Sequence, residues 1–240
     1  MEQLNRGAGL PEGWAETTLA EVCEINPSKP AVDALPPGAP VTFVPMPAVD
    51  AELGAITKPE VRPYASARNG YTAFREGDVI LAKITPCMEN GKAAIPENLE
   101  NGLGFGSTEF HVLRPTKGVL AEFVYHFIRQ ESYRHVAESE MTGSVGQKRV
   151  PVEFLHRTKL PLPPLVEQKR MVAKIDELLQ GNRAARERLR RIPVILKAFR
   201  QTVLAAACSG RLTEDWREKH PNGQGVAAAI EAMRKRRESE

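Results

Sequence analysis

The sequence predicts an α+β protein, with a small twisted mixed-sheet domain followed by long helices. Three observations carry this reading. Short apolar runs of strand length, separated by Gly, Pro and Asn turns, fill the chain as far as Leu113. Leu160 to Leu165 must then be extended, because Pro161, Pro163 and Pro164 each lack an N–H and clash with a preceding helical turn. From Val166 onward apolar residues recur every three or four positions, the spacing of one helix face.

Taken in order, Leu10 to Ile25 opens on a Pro-Glu-Gly turn and Trp14. It then carries Leu19, Val22 and Ile25 at helix-like spacing, which reads as a short strand and a helical turn. Residues 26–40 hold five prolines and a glycine and form a loop. Val41 to Val49 and Tyr71 to Phe74 are strand-like, and Arg75-Glu76-Gly77-Asp78 turns the chain into the β-branched apolar run Val79 to Ile84. Ala93 to Ile95 and Glu109 to Leu113 complete the set, with Phe110 and Val112 alternating with polar neighbours. The sheet is expected to be twisted or barrel-like. Leu120, Phe123, Val124, Phe127 and Ile128 lie on one face of a helix over 120–132 that packs on it.

Beyond the prolines, Val172, Ile175, Leu179 and Leu189 keep heptad a/d spacing, with Asn182 and Arg186 as polar interruptions. Pro193 is expected to kink or break this helix. A second helix carrying Leu196, Phe199, Val203 and Ala206 stops at Ser209-Gly210, and Val226 to Arg237 forms a short basic helix. The expected bounds are 1–160 for the globular domain, 161–212 for the helical region and 213–240 for a linker and terminal helix.

No apolar run approaches the roughly 20 residues that span a bilayer, and the first residues show no secretory pattern, so the cytoplasm is the expected compartment, with no membrane partner. Cys23, Cys87 and Cys208 are too dispersed for a disulfide framework or a zinc knuckle. The net charge of +3 hides an asymmetry. Residues 1–168 carry 16 Lys+Arg against 21 Asp+Glu, a net −5, and residues 169–240 carry 17 against 9, a net +8.

Catalytic and metal motifs are missing. Gly102, Gly104 and Gly106 lack the third spacing of a dinucleotide loop and read as a turn between strands. Asp78, Glu89 and Lys92 bring two carboxylates and a lysine, as a metal-dependent nuclease does, but Glu89 to Lys92 is one residue too long, so a turn is the preferred reading. His111, His126, His135, His156 and His220 are scattered and read as structural or surface residues. No catalytic residue and no metal site is assigned.

Several stretches resemble the specificity subunits of type I restriction-modification systems. LPEGW (10–14) is similar to that family's domain opening. GDVILAKITPCMENGKAAI (77–95) and FGSTEFHVLRP (105–115) resemble the interior of one class of its target recognition domains. LPLPPLVEQKRMVAKIDELL (160–179) and FRQTVLAAACSGRLTEDWRE (199–218) resemble its helical spacer. The family's subunits carry two recognition domains in tandem, and this chain has one, as a natural half subunit or as the first half of a longer product.

The resemblance implies a non-catalytic DNA-recognition subunit of this defence system, reading one half of a split target in the major groove and directing methyltransferase (M) and endonuclease (R) subunits to it. It also implies that the helices pair antiparallel as a coiled-coil spacer, in a homodimer or with a second half subunit. S-adenosylmethionine, ATP and Mg would belong to the partner subunits, leaving this chain without a cofactor. The alternative is a decoy that binds methyltransferase without reading DNA. Residues able to contact double-stranded DNA must be polar and on loops, which selects Lys83, Thr85, Asn90, Lys92, Ser107, Thr108, Gln147, Lys148 and Arg149, with Tyr64, Arg68 and Arg75 as further additions. The spacer seam is expected at Val172, Ile175, Leu179, Leu189, Leu196, Phe199 and Val203.

Overall fold

The computed structural model describes residues 9–31, 34–144, 146–220 and 225–238; within helices, the side chains of Arg183, Ala184, Arg186, Glu187 and Ala228 also lie outside the description. Two compact units emerge, residues 1–177 and 178–240.

In the first unit the strands are β1 (Ala15–Thr18), β2 (Cys23–Ile25), β3 (Pro40–Val44), β4 (Val49–Asp50), β5 (Ala55–Ile56), β6 (Glu60–Pro63), β7 (Thr72–Arg75), β8 (Val79–Ala82), β9 (Ala93–Ala94), β10 (Leu103–Gly106), β11 (Phe110–Pro115) and β12 (Lys159–Leu162). Its helices are α1 (Leu19–Val22), α2 (Tyr64–Arg68), α3 (Ala121–Arg129), α4 (Glu131–Ser139) and α5 (Val152–Arg157). Two four-stranded sheets form, in the orders β6-β3-β10-β7 and β2-β11-β8-β9, with two-stranded ribbons β1-β12 and β4-β5. The sheets are open and stacked, where a single barrel-like sheet was one expectation. The first is mixed, β10 running parallel to β3 and antiparallel to β7.

Three apolar cores explain the stacking. Strand side chains alternate faces, so each sheet offers two surfaces to cover. Val41, Phe43, Ala73 and Phe105 face α2, where Tyr64 and Ala67 close the outer core. Val44 and Phe74 meet Ile80, Phe110 and Val112 between the sheets. Val79, Leu81 and Leu113 face the helices, which supply Leu19, Phe123, Val124, Phe127, Tyr133, Phe154 and Leu155. Both faces of β8 and β11 are therefore covered, and the polar alternation expected of β11 fails at His111, which is only 4% exposed.

The glycines at 104 and 106 are not in a turn. They occupy β10, in the middle of the first sheet. A Cβ on Gly104 would lie 2.1 Å from the Phe74 ring, and one on Gly106 2.6 Å from the Val44 carbonyl oxygen. Only a hydrogen side chain lets Phe74 cross the strand, so packing and not phosphate binding accounts for this run. The expected helix over 120–132 likewise divides, α3 ending at Arg129 and α4 beginning at Glu131 after the non-helical Gln130.

The junction is fastened where the 10–14 and 160–179 stretches meet. The Trp14 indole N–H donates to Glu167 at 3.1 Å, while β1 pairs with β12 in register Ala15↔Leu162 to Thr18↔Lys159. Gln168, 1% exposed, accepts from the Leu120 N–H at 2.9 Å and donates to the Pro163 and Gly118 carbonyls. It thereby satisfies a donor at the start of α3 that the helix itself cannot. Helix α6 (Leu165–Cys208) is continuous through Pro193, so the expected break does not occur and the two expected helices are one, about 66 Å long at 1.5 Å per residue. A single proline removes one backbone hydrogen bond, and the turns on either side hold the helix together. Its first turns belong to the first unit, where Met171 and Val172 pack against the core.

The second unit takes up the rest of α6, then α7 (Glu214–Lys219) and α8 (Ala227–Glu238). Gly210 ends α6 with φ +76°, the left-handed cap expected at that position. Among the described residues no single helix is long and apolar enough to cross a membrane.

Candidate nucleic-acid interface

Three polar loops converge at one end of the inner sheet. After β8 the chain runs as Lys83 to Thr85 between two neighbours. The Lys83 N–H donates to the Glu109 carbonyl at 2.9 Å; on the other side, the Val150 N–H donates to the Lys83 carbonyl at 2.8 Å and the Thr85 N–H to the Lys148 carbonyl at 3.0 Å. Thr142 and Arg149 exchange backbone hydrogen bonds of 3.0 and 2.8 Å, closing a short hairpin whose turn includes Gly143 (φ +123°) and Gly146 (φ +77°). Gly143 has no room for a side chain, since a Cβ would sit 2.9 Å from the Gln147 carbonyl.

These contacts divide the nine sequence-predicted residues. Asn90, Thr108, Gln147 and Lys148 are exposed, and Lys83 is half-buried in the wall of a cleft of about 350 Å³. The other four are tied down. The Thr85 hydroxyl donates to the Glu89 carboxylate, the Lys92 ammonium to the Met46 carbonyl at 3.0 Å, and the Ser107 hydroxyl accepts from the Glu109 N–H at 3.2 Å. The remaining one, the Arg149 guanidinium, forms a bidentate pair with Glu109 at 2.9 and 2.7 Å and also donates to the Gln147 carbonyl. Of the further additions, Tyr64 is a core residue whose hydroxyl donates to the Ala31 carbonyl, Arg68 reaches the Pro30 carbonyl, and Arg75 is exposed.

The cleft contains residues that sequence reasoning missed. Asn26, Lys29, Tyr71 and Thr72 line it together with Lys83 and Thr108, over an apolar floor of Phe110 and Val112. Asn26 has φ +51° and acts as a clasp, its amide oxygen accepting from the Val112 N–H at 3.0 Å and its NH2 facing His111 Nδ1 at 3.0 Å. His111 Nε2 then donates to the Val150 carbonyl at 2.9 Å, which places a proton on Nε2. Burial holds its pKa below the ordinary histidine value. The Arg149 hydrogen bonds hold Glu109 below the usual carboxylate range against the opposing effect of burial, with the Arg149 and Lys83 charges adding to the lowering.

The carboxylates that suggested a nuclease have other work. Asp78, 1% exposed, accepts from Arg114 at 2.8 and 2.9 Å and from the Arg75 N–H at 2.8 Å. Among the described residues no group of three His, Cys, Asp or Glu could hold a metal ion. The Cys23 thiol is pushed up to about 12 by burial, which makes it inert.

Of the seven residues expected in a spacer seam, all lie on α6. Val172 and Ile175 are half-buried, Val172 against the first unit's core, while Leu179, Leu189, Leu196, Phe199 and Val203 are exposed, Phe199 at 64%.

Residues 11–193 match the family described as the type I restriction modification DNA specificity domain. The chain is 39% identical over 171 residues to the specificity subunit of type I restriction enzyme EcoAI from Escherichia coli, covering 71% of this chain and 28% of that protein. It is 40% identical over 171 residues to the EcoEI specificity subunit and 51% identical over 74 residues to that of EcoBI, both from Escherichia coli, with 28% and 16% of those proteins covered. A chain solved in a study of the assembly and conformational transition of the type I R-M system superposes with a TM-score of 0.62 at 27% identity, over 91% of this chain and 53% of that one. The HsdS subunit from Thermoanaerobacter tengcongensis superposes at 0.60 with 25% identity, over 92% and 53%. The chain thus spans about a quarter of the length of the EcoAI and EcoEI relatives and about half of each solved chain.

Proposed function

This chain belongs to the type I restriction modification DNA specificity family, and we propose that it reads one half of a bipartite DNA target and brings methyltransferase and endonuclease subunits to it. The observation that supports the proposal is the backbone pairing of Lys83–Thr85 with Glu109 on one side and with Lys148 and Val150 on the other, which brings together the loops that carry Lys83, Thr108, Gln147 and Lys148. Those residue types suit the work. Lysine offers a cation to guanine O6/N7 or phosphate, Asn and Gln match adenine N6/N7, and threonine bonds phosphate.

The chain itself supplies no catalytic group, and S-adenosylmethionine, ATP and Mg are assigned to the partner subunits, in the cytoplasm. The exposed apolar residues Leu189, Leu196 and Phe199 are assigned to pairing with an antiparallel helix of a second copy or of another half subunit. Two reading heads related by a two-fold axis then predict an interrupted palindrome.

The test is selection from a pool of random duplexes by the full chain with methyltransferase subunits. Recovery of a discrete bipartite motif is the expected result. Retention of methyltransferase without any sequence enrichment overturns the reading and leaves the decoy alternative; the net −5 of residues 1–168 counts against strong DNA binding by the chain alone.

A further inference from the structure

Arg149 has the chemistry of a base reader, but its geometry is that of a fastening. Both forks of its guanidinium are spent on Glu109, across 40 residues of sequence, and a third N–H is spent on the Gln147 carbonyl. The hairpin that it closes is stitched to Lys83–Thr85 through backbone bonds on one side only. The Glu109 carboxylate reaches Arg149 across that same Lys83–Thr85 segment, to which its own backbone is tied through the Glu109 carbonyl, and so adds a side-chain anchor to the backbone bonds. Together with the backbone bonds, the pair fixes the segment that carries Gln147 and Lys148, a matter of selectivity, since a reading side chain displaced by even about 1 Å loses its productive geometry.

We infer that the Glu109–Arg149 pair is a latch that presents the Thr142–Arg149 hairpin to DNA, making both members positioning residues and leaving Gln147 and Lys148 to make the contacts. The inference rests on the proposed DNA-reading function and goes beyond it, because it gives an acidic side chain a part in DNA recognition. Electrostatics alone assigns Glu109 the opposite sign: removing a carboxylate from a DNA-facing surface strengthens binding to every sequence.

The experiment uses the full chain with methyltransferase and compares the selected duplex with single-base mismatches. In Glu109→Gln and Glu109→Ala the discrimination, about five- to 150-fold per base pair in specific complexes, should fall at least threefold. In Arg149→Ala it should fall similarly while the salt dependence stays unchanged, whereas a phosphate-bound arginine would take about one unit from the slope of log K against log salt. The swap Glu109→Arg with Arg149→Glu should recover the lost discrimination. Amide exchange at Thr142 and Arg149 reads the latch without DNA and should quicken in each single variant and slow again in the swap.

Intact discrimination in Glu109→Ala, a slope reduced by one in Arg149→Ala, or a swap that restores neither discrimination nor protection overturns the latch. Should no duplex be selected at all, the functional reading fails, while the exchange data still decide whether the latch exists.

Discussion

A methyl group at Gly104 tests whether the glycine run is packing or a ligand cradle. The substitution Gly104→Ala places Cβ 2.1, 2.6 and 2.8 Å from three atoms of the Phe74 ring, which is itself 1% exposed and held in the core between the sheets. Neither side can yield cheaply, because β10 is hydrogen-bonded on both edges, to β3 and β7. Overpacking of a well-filled core costs about 1–3 kcal/mol, and three contacts under 3 Å place this site at the upper end. Loss of glycine's freedom in the unfolded chain returns about 0.4–1 kcal/mol, so the net destabilisation is about 2 kcal/mol. For a unit of this size that corresponds to a fall in Tm of about 4–8 °C. Hydrogen exchange of the β3, β7 and β10 amides in the full chain isolates the first unit's stability from that of the helices. Shortening the ring with Phe74→Leu removes the clash, so the double variant should be more stable than the sum of the two singles by about 1–2 kcal/mol. Unchanged protection in Gly104→Ala, or strict additivity, would refute the packing argument. DNA binding lost at unchanged stability would restore the cradle.

Two more predictions follow from buried polar groups. Asp78→Asn removes the charge that Arg114 addresses at 2.8 and 2.9 Å, and since breaking a buried pair costs about 3–5 kcal/mol and the amide retains part of the bonding, a loss of about 2–3 kcal/mol is expected in urea unfolding; wild-type stability would show the pair to be idle. His111, whose folded pKa is depressed by burial, contributes stability that is complete above the unfolded value near 6.5 and is lost as pH falls through the folded value. Melting temperature should therefore decline on acidification below about pH 6.5, and His111→Gln should flatten that decline, with His126, depressed mainly by burial despite Asp176, supplying the remainder; an undiminished slope in the variant would exclude His111 as the titrating group.

Much of the first unit was legible because local pattern and tertiary position agree there. The apolar run at Val79–Ala82, the Glu76-Gly77 turn and the prolines before α6 each act through their own backbone, and each lies where its chemistry predicts. The failures share a different cause. His111 broke the expected alternation because its polarity is satisfied by Asn26 and Val150, partners 85 and 39 residues away. Gly104 was misread because a glycine that admits a neighbour's ring looks, in one dimension, like a glycine that turns the chain. Asn26 and Lys29 went unnoticed within a proline-rich loop that is held to α2 by Tyr64 and Arg68. For the candidate site, residue type and loop position were readable. Which residue is free and which is fastened was not, since the Glu109–Arg149 pair exists only after two distant loops meet.

That division bears on how, under the proposed function, a domain with a net charge of −5 over residues 1–168 would read a polyanion. Sequence-independent affinity grows with the number of phosphates neutralised, whereas discrimination depends on how well each base-directed group is held. Fastening Arg149 and Lys92 inward spends two cations on geometry and leaves Lys83 and Lys148 as the cations among the nine candidate residues. On the proposed reading this favours selectivity at the expense of grip: the chain alone holds any duplex weakly, so a sequence that does not fit is released quickly. On the same proposal, tight binding would come from methyltransferase subunits that add phosphate contacts once the target is found. A surface rich in free lysine and arginine would bind sooner and more tightly but would linger on the many wrong sites a genome offers. The acidic balance, which first counts against DNA binding, is on this argument what a reading head needs when its partners supply the hold.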